Sequence, residues 1–331
     1  SGKYILTCST ELNDEKKKKV YHSGAGRIGK IKMYPMSLYE SGDSSGQASL
    51  SKMYDGSLEN VLVKVIDIRS LAYLIVRGGW PRNIEVSQEN ANLIPKSYIE
   101  SILDKDMNDD KKRDRTKMLM LLRSLARNES TVVSNQTLIK DINDSESEMI
   151  ESRITLTDYL DVLDRLHITC NQDSYSINYR SPKRVGKAPK RVGKAPKRHF
   201  VDPSLACATL NLTVDKLIGD LNTFGFLFKA LVERDLRIYI ESLGGKLYHF
   251  RDNVTGLEVD SIIEFANGDY AAIEIKLGSN QIEEARKNLL SFEENMLKKP
   301  KFMCIIVGNY KAVVKDKETG IYIVPITALK Q

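Results

Sequence analysis

The sequence predicts a multi-domain α/β protein, and three observations carry that prediction. Its 331 residues exceed the roughly 100 to 200 of a single domain. Helical and strand patterns alternate through the last third, from "FGFLFKALVERDLRIY" to "GIYIVPI". Ahead of that third lies a stretch, residues 181–198, that cannot build a core. The expected units are therefore 1–110, 111–180, a linker 181–198, and 199–331.

"KYILTCS" opens the chain as a short buried strand. "HSGAGRIGK" follows, with Gly24 and Gly29-Lys30 at the spacing of a phosphate-cradling loop. That chemistry needs a hydroxyl after the lysine to hold Mg²⁺, and Ile31 has none. It also needs a buried strand leading into the first glycine, where this chain has the charged "ELNDEKKKKVYHS". The loop is not a phosphate cradle.

"SLENVLVKVIDIRSLAYLIVRGGWP" is expected to be helical, closed by Gly78-Gly79 and Pro81, with Trp80 as a packing anchor. "NANLIPKSYIESILDKD" predicts another helix, and the polar "KDMNDDKKRDR" a boundary near residue 110. "TKMLMLLRSLARNES", "NQTLIKDIN" and "TLTDYLDVLDRLHI" predict three further helices, the last burying Leu156, Leu160, Leu163 and Leu166. "HITCNQDSYSINYR" alternates around a polar turn, as a hairpin does. Three helices and a hairpin is the winged-helix order. The outward face of the third helix carries Asp158, Asp161 and Asp164, relieved only by Arg165, which opposes contact with phosphate.

The net charge of +6 sits in one place. Lys183, Arg184, Lys187, Lys190, Arg191, Lys194, Lys197 and Arg198 occupy 181–198 without an acid, and without these eight the balance becomes −2. The segment repeats "PKRVGKA" in tandem from Pro182 and Pro189, which predicts a solvated loop. These cations are the candidate nucleic-acid contacts. Cys8, Cys170, Cys207 and Cys304 are scattered and lack metal-ligand spacing, so reduced thiols are expected. No apolar run approaches the roughly 20 residues of a membrane span, and no leader opens the chain. A cytoplasmic location without membrane contact is the expectation. His22, His167, His199 and His249 are isolated and expected to be structural.

In the last third, a helix over 221–243 precedes two strands in "GLEVDSIIEFANGDYAAIEIKLG", turned at Asn267-Gly268. Paired as a hairpin, they bring Asp260, Glu274 and Lys276 to one edge, with Glu258 on the face of Asp260. Two carboxylates at that distance can hold a divalent cation, and a lysine beside them can steady a water or phosphate oxygen.

Asp, then Glu-x-Lys on the next strand, resembles the core of the PD-(D/E)xK restriction-like nucleases. A wider resemblance covers nearly the whole chain. "ILTCS", "HSGAGRIGKIKMYPMSLYESGDSSG", "VRGGWPRN", "LLRSLARN", "KRHFVDPSLACA", "FGFLFKALVERDLRIY" and "GLEVDSII...AAIEIKLG" run in the order of a large family of prokaryotic ATP-binding proteins. Those proteins look like an AAA-type P-loop core, followed by a winged helix and a restriction-nuclease-like domain of uncharacterised role. The resemblance implies that 1–110 is the end of an AAA-type core with its helical lid, 111–180 a winged helix and 199–331 a restriction-endonuclease-like domain. It places Ser9 at the sensor position and lets Arg27 reach a neighbouring subunit's nucleotide. The family's P-loop and acidic strand precede the sensor strand, so ATP is expected as a ligand only where such a core is supplied, and AAA-type subunits are the implied partners.

For the nuclease-like part, the resemblance implies Mg²⁺ or Mn²⁺ on Asp260, Glu274 and the carbonyl of Ile275, with Lys276 as the catalytic lysine. Where the family carries a Glu on the preceding helix, this chain has Lys229, which weakens the site; Glu233, one turn on, is the accessory acid that could restore it. The expected function is that of a truncated AAA-family ATP-binding protein acting as a binding or assembly module associated with nucleic acid. The alternative is a metal-dependent nuclease acting on DNA or RNA.

Overall fold

Asp67, Asp114, Ser152, Asp202 and Asp220 each accept a backbone N–H of a helical first turn, and these caps set where the helices begin. The computed structural model describes residues 31–106, 113–145, 152–175 and 195–331, with Thr7 and Gly29. "KYILTCS" and most of "HSGAGRIGK" lie outside the described residues.

The helices are α1 Leu50–Asp55, α2 Ile68–Arg77, α3 Leu93–Ser101, α4 Arg115–Arg127, α5 Asn135–Ser145, α6 Arg153–Arg165, α7 Pro203–Thr209, α8 Val214–Gly219, α9 Leu221–Ser242 and α10 Ile282–Asn295. The strands are β1 Ala48–Ser49, β2 Val61–Leu62, β3 Thr131–Val132, β4 Lys197–Arg198, β5 Lys246–Arg251, β6 Glu258–Glu264, β7 Tyr270–Lys276, β8 Phe302–Val307, β9 Ala312–Lys315, β10 Tyr322–Pro325 and β11 Leu329–Lys330. The protein is mixed α/β. A seven-stranded sheet runs β2-β9-β10-β8-β7-β6-β5. It is parallel through β10-β8-β7 and antiparallel elsewhere.

One face of this sheet packs against the 22-residue α9, burying Ile263, Ile273 and Ile275 with Phe224, Phe228 and Leu231. The other face takes α10, whose Ile282, Ala285, Leu289 and Phe292 meet Ile262, Ala272 and Ile305. Covered on both sides, β7 is buried along nearly its whole length, Glu274 included. That is why its sequence is almost continuously apolar.

One expectation needs correction. Residues 58–67 are not helical: β2 pairs antiparallel with β9, and only Ile68–Arg77 forms a helix. Val61, Val63 and Val65 alternate with Leu62 and Lys64, a strand period ahead of the Asp67 cap. In the segment after α6, the described residues up to Tyr175 pair elsewhere, and the second half of the expected hairpin, 176–180, lies outside the described residues. Thr169 bridges Phe200 and Gln172 bridges Lys197, so their partners lie across the basic repeat. β3 pairs with β4 on the other side, at Thr131–Arg198 and Val132–Lys197.

The same strand reaches the large sheet. Ser174 bridges His249 of β5, and His249 Nε2 donates to the carbonyl of Ala195 at 3.2 Å. Burial, then the positive charge of Lys197, pushes His249 down to about 4, and its Nδ1 has no partner among the described residues. The unfolded side chain takes up a proton near pH 6.5, whereas the folded one resists until about 4. Its share of the stability is complete above about pH 6.5 and lost as pH falls towards 4, up to about 3 kcal/mol. His249→Phe should flatten that part of a stability-versus-pH curve measured by urea unfolding; an unchanged slope would discard this account.

The stretches "VRGGWPRN", "VDPS" and "VERD" meet in a buried knot. Arg234 Nη1 donates to Asp202 Oδ2 at 2.9 Å and Arg234 Nη2 to Asp235 Oδ1 at 2.7 Å. The second oxygen of Asp235 accepts the N–H of Leu38, and Asp202 Oδ2 also accepts that of Gly79. Gly78 has φ 69, and a Cβ on Gly79 would overlap the carbonyl of Met36. Glycine is required there by space as well as conformation. Trp80 anchors this loop through Nε1 on Ser204 Oγ, 2.8 Å, and its ring on Tyr98.

Candidate functional site

The cluster at Asp260 is assembled by β6, β7, α9 and α10. A cleft of about 490 Å³ is lined by Lys229, Glu258, Asp260, Glu274, Lys276 and Glu284, among others. Asp260 is 4% and Glu274 3% exposed, so both carboxylates sit at the floor. Lys229, from the middle of α9, donates Nζ to Asp260 Oδ1 at 2.6 Å. Asp260 Oδ2 accepts the backbone N–H of Ile275 at 2.9 Å. Glu274 Oε1 accepts from Asn288 of α10 at 2.8 Å, and its Oε2 lies 3.6 Å from Lys276 Nζ. Lys276 also reaches Glu284 Oε1 at 3.2 Å.

The charges in this cluster are unequal. Burial works to raise the Asp260 carboxyl, but Lys229 and then Lys197 outweigh it and hold it below the ordinary range. Glu274, pressed by burial and then by the charge on Asp260, is pushed up to about 8. The site thus sets an Asp260 carboxylate favoured in its charged form beside a Glu274 whose charged form is disfavoured. Burial works against the Lys229 ammonium, but Asp260 overcomes it and the lysine stays charged.

Asp260, Glu274 and Lys276 therefore line one cleft, with Ile275 contributing a backbone N–H bond to Asp260. Glu258 lies at its rim, with its carboxylate 3.9 Å from Arg251. Glu233 does not join them. It is 1% exposed and accepts from Lys197 Nζ, Ser130 Oγ at 2.7 Å and Ser261 Oγ at 3.2 Å, while His199 Nε2 stands 3.3 Å away. Its oxygens are taken up at the junction between β4 and α9, and it cannot serve as the accessory acid.

Lys197 and Arg198 also leave their expected place. They form β4, at 1% and 5% exposure, and Lys197 Nζ bonds Glu233 and the carbonyl of Asp260 at 3.1 Å. Arg198 donates to Asn135 Oδ1 at 2.6 Å. These two cations are structural, not part of a solvated basic loop. Ser9, Arg27, Lys183, Arg184, Lys187, Lys190, Arg191 and Lys194 lie outside the described residues. The signal that separates Lys197 and Arg198 from the others is in the sequence: the third "PKR" continues as His-Phe instead of Val-Gly. Sequence reasoning also passed over Asn288 and the buried pair Glu129–His199, joined at 3.0 Å.

A divalent cation on Asp260 and Glu274 would need free, charged oxygens. Here Asp260 Oδ1 faces the Lys229 ammonium, Oδ2 is bonded to Ile275, and Glu274 Oε1 is bonded to Asn288 while its Oε2 lies beside Lys276. The residues present do not fit Mg²⁺ or Mn²⁺. Among the described residues, no group of three His, Cys, Asp or Glu side chains is placed to hold a metal ion. Cys170, Cys207 and Cys304 are free thiols, and no helix among the described residues is long and apolar enough to cross a membrane.

Two families match parts of the chain. One, described as a domain of unknown function, DUF8612, matches residues 68–216. Another, described as a domain of unknown function, DUF4143, matches residues 224–329. No curated protein matches the chain.

Proposed function

We propose that this chain is a non-catalytic binding and assembly module, in which a winged-helix-like unit is joined to a nuclease-like unit that has exchanged its metal for a lysine. The observation that carries this reading is the 2.6 Å contact of Lys229 Nζ with Asp260 Oδ1. A tethered ammonium there neutralises the carboxylate that a divalent cation would require, and repels such a cation besides. AAA-type subunits are the proposed protein partners, from the order of the chain's motifs. Nucleic acid is the proposed second partner, through the basic repeat.

The direct check is incubation of linear, supercoiled and single-stranded DNA and of RNA with the protein and Mn²⁺. No cleavage is expected, and no heat of Mn²⁺ binding by titration calorimetry. Cleavage that disappears in Glu274→Ala would overturn the proposal and leave a nuclease acting through Asp260, Glu274 and Lys276.

Nucleic-acid association has its own test. Deleting Pro189 to Ala195 removes Lys190, Arg191 and Lys194 and leaves Ala188 ahead of Pro196, so the alanine carbonyl facing His249 is replaced in kind. Stability should hardly change. If the repeat tracks a duplex backbone, the log-log salt slope of binding should fall by up to about 3 units, at roughly 0.9 per contact. Equal slopes with and without the heptad would remove the repeat from the binding surface.

A further inference from the structure

A second and larger crevice, about 620 Å³, lies on the other side of Lys229 and Lys276. It forms where two neighbouring parallel strands part company. β7 ends at Lys276 and turns through Gly278 towards α10, whereas β8 ends at Val307 and turns through Gly308 and Asn309 towards β9. A divergence of chain at the carboxyl ends of adjacent parallel strands is where open α/β sheets place their ligands. Gly308 is fixed by this geometry, since a Cβ would press on the Leu277 carbonyl at 2.7 Å and on Leu71 at 2.9 Å.

The lining is specific in its chemistry. Leu71, Ile275 and Leu277 make an apolar floor, and the Phe226 ring stands at the edge, 37% exposed. Asn222, Asn280 and Asn309 also line this space, and their carboxamides make no hydrogen bond among the described residues. Both lysines on the far wall are already matched, Lys229 by Asp260 and Lys276 by Glu274 and Glu284. The crevice therefore offers an apolar floor, an aromatic ring at its edge and uncharged groups that both donate and accept, but no spare positive charge.

We infer that this crevice binds a nucleobase, presented by a nucleoside or by the end of a single strand. An aromatic ring stacks on any base, and a carboxamide pairs with a base edge through one donor and one acceptor. The volume falls within the range of about 300 to 1,000 Å³ of small-molecule sites. With Lys229 and Lys276 already paired, the crevice has no unmatched cation to hold a polyphosphate tail. The inference names a ligand for the binding-module reading. Its test uses uncharged nucleosides, so its failure leaves the cleavage and salt-slope tests standing, and theirs leave it standing.

The full chain, labelled at isoleucine and leucine methyls, is titrated with adenosine, guanosine, cytidine and uridine, and with a short single-stranded oligonucleotide. Shifts at Ile68, Leu71 and Leu221 are expected, with a dissociation constant for the best nucleoside at or below about 1 mM. Phe226→Ala should weaken binding about tenfold or more, and Asn280→Ala should change the preference among bases. Both side chains are exposed enough for the variants to fold. Equal affinity for nucleoside and strand identifies a free nucleoside as the ligand; a strand bound more than about tenfold tighter identifies a strand end. No methyl shift with any nucleoside or strand, shifts that persist unchanged in Phe226→Ala, or ATP binding more tightly than adenosine would overturn the assignment.

Discussion

Arg234→Leu is expected to cost the protein about 3–5 kcal/mol, the usual penalty for removing one partner of a buried ion pair. The side chain is 2% exposed and its two partners, Asp202 and Asp235, are fully buried. Burial alone would push the arginine down, but Asp235 and then Asp202 outweigh it, and each loses its neutralising charge in the variant. Neither aspartate can turn to water, because the N–H groups of Gly79 and Leu38 hold them in place. The effect should spread through the glycine loop and the start of α7, where Asp202 also caps the helix. Urea unfolding of parent and variant measures it. A loss below about 1 kcal/mol would mean that the knot is better solvated than its burial indicates.

Lys229→Ala is expected to have two effects of opposite sign. Without the ammonium, Asp260 Oδ1 keeps only Lys197, 3.7 Å away, and stability should fall by about 2 kcal/mol, less than for a fully buried pair because the lysine side chain is 28% exposed. Added Mn²⁺ should then return much of it, about 2.7 kcal/mol at a concentration a hundredfold above the dissociation constant. The parent should show no such rescue. Thermal unfolding of both proteins with and without Mn²⁺ decides the matter, and an equal Mn²⁺ shift in the parent would show that Lys229 does not stand in for the cation.

Residues whose neighbours in sequence determine their environment were the legible ones. α9 was expected over 221–243 and spans Leu221–Ser242, because its apolar period is long and Asp220 precedes it. The Asn267-Gly268 turn between β6 and β7 follows from Gly268 at φ 80, a conformation that glycine tolerates. What could not be read were partners set by chain crossing from one unit to another. Glu233 lies one helical turn beyond Lys229, and spacing alone offered it to the metal; the β4 strand, delivered from across the repeat, supplies Lys197 and claims it instead. In the same way, composition assigned Lys197 and Arg198 to a soluble loop. The pairing of β4 with β3 and the bridge from Gln172 to Lys197 enclose them.

The two-stranded parallel pair of β1 with β11 bears on the order in which the molecule comes together. Ala48 matches Leu329, and Ser44 Oγ donates to the Leu329 carbonyl at a sequence separation of 285. Closing a loop of that size gains nothing until both ends exist, and contacts so distant along the chain form late. During synthesis, Ala48 must wait for its partner at residue 329, long after α4 to α6 have had time to form locally. A nascent chain arrested before β11 should accordingly be held by chaperones and cut by proteases near residues 40–60, while its helical middle resists.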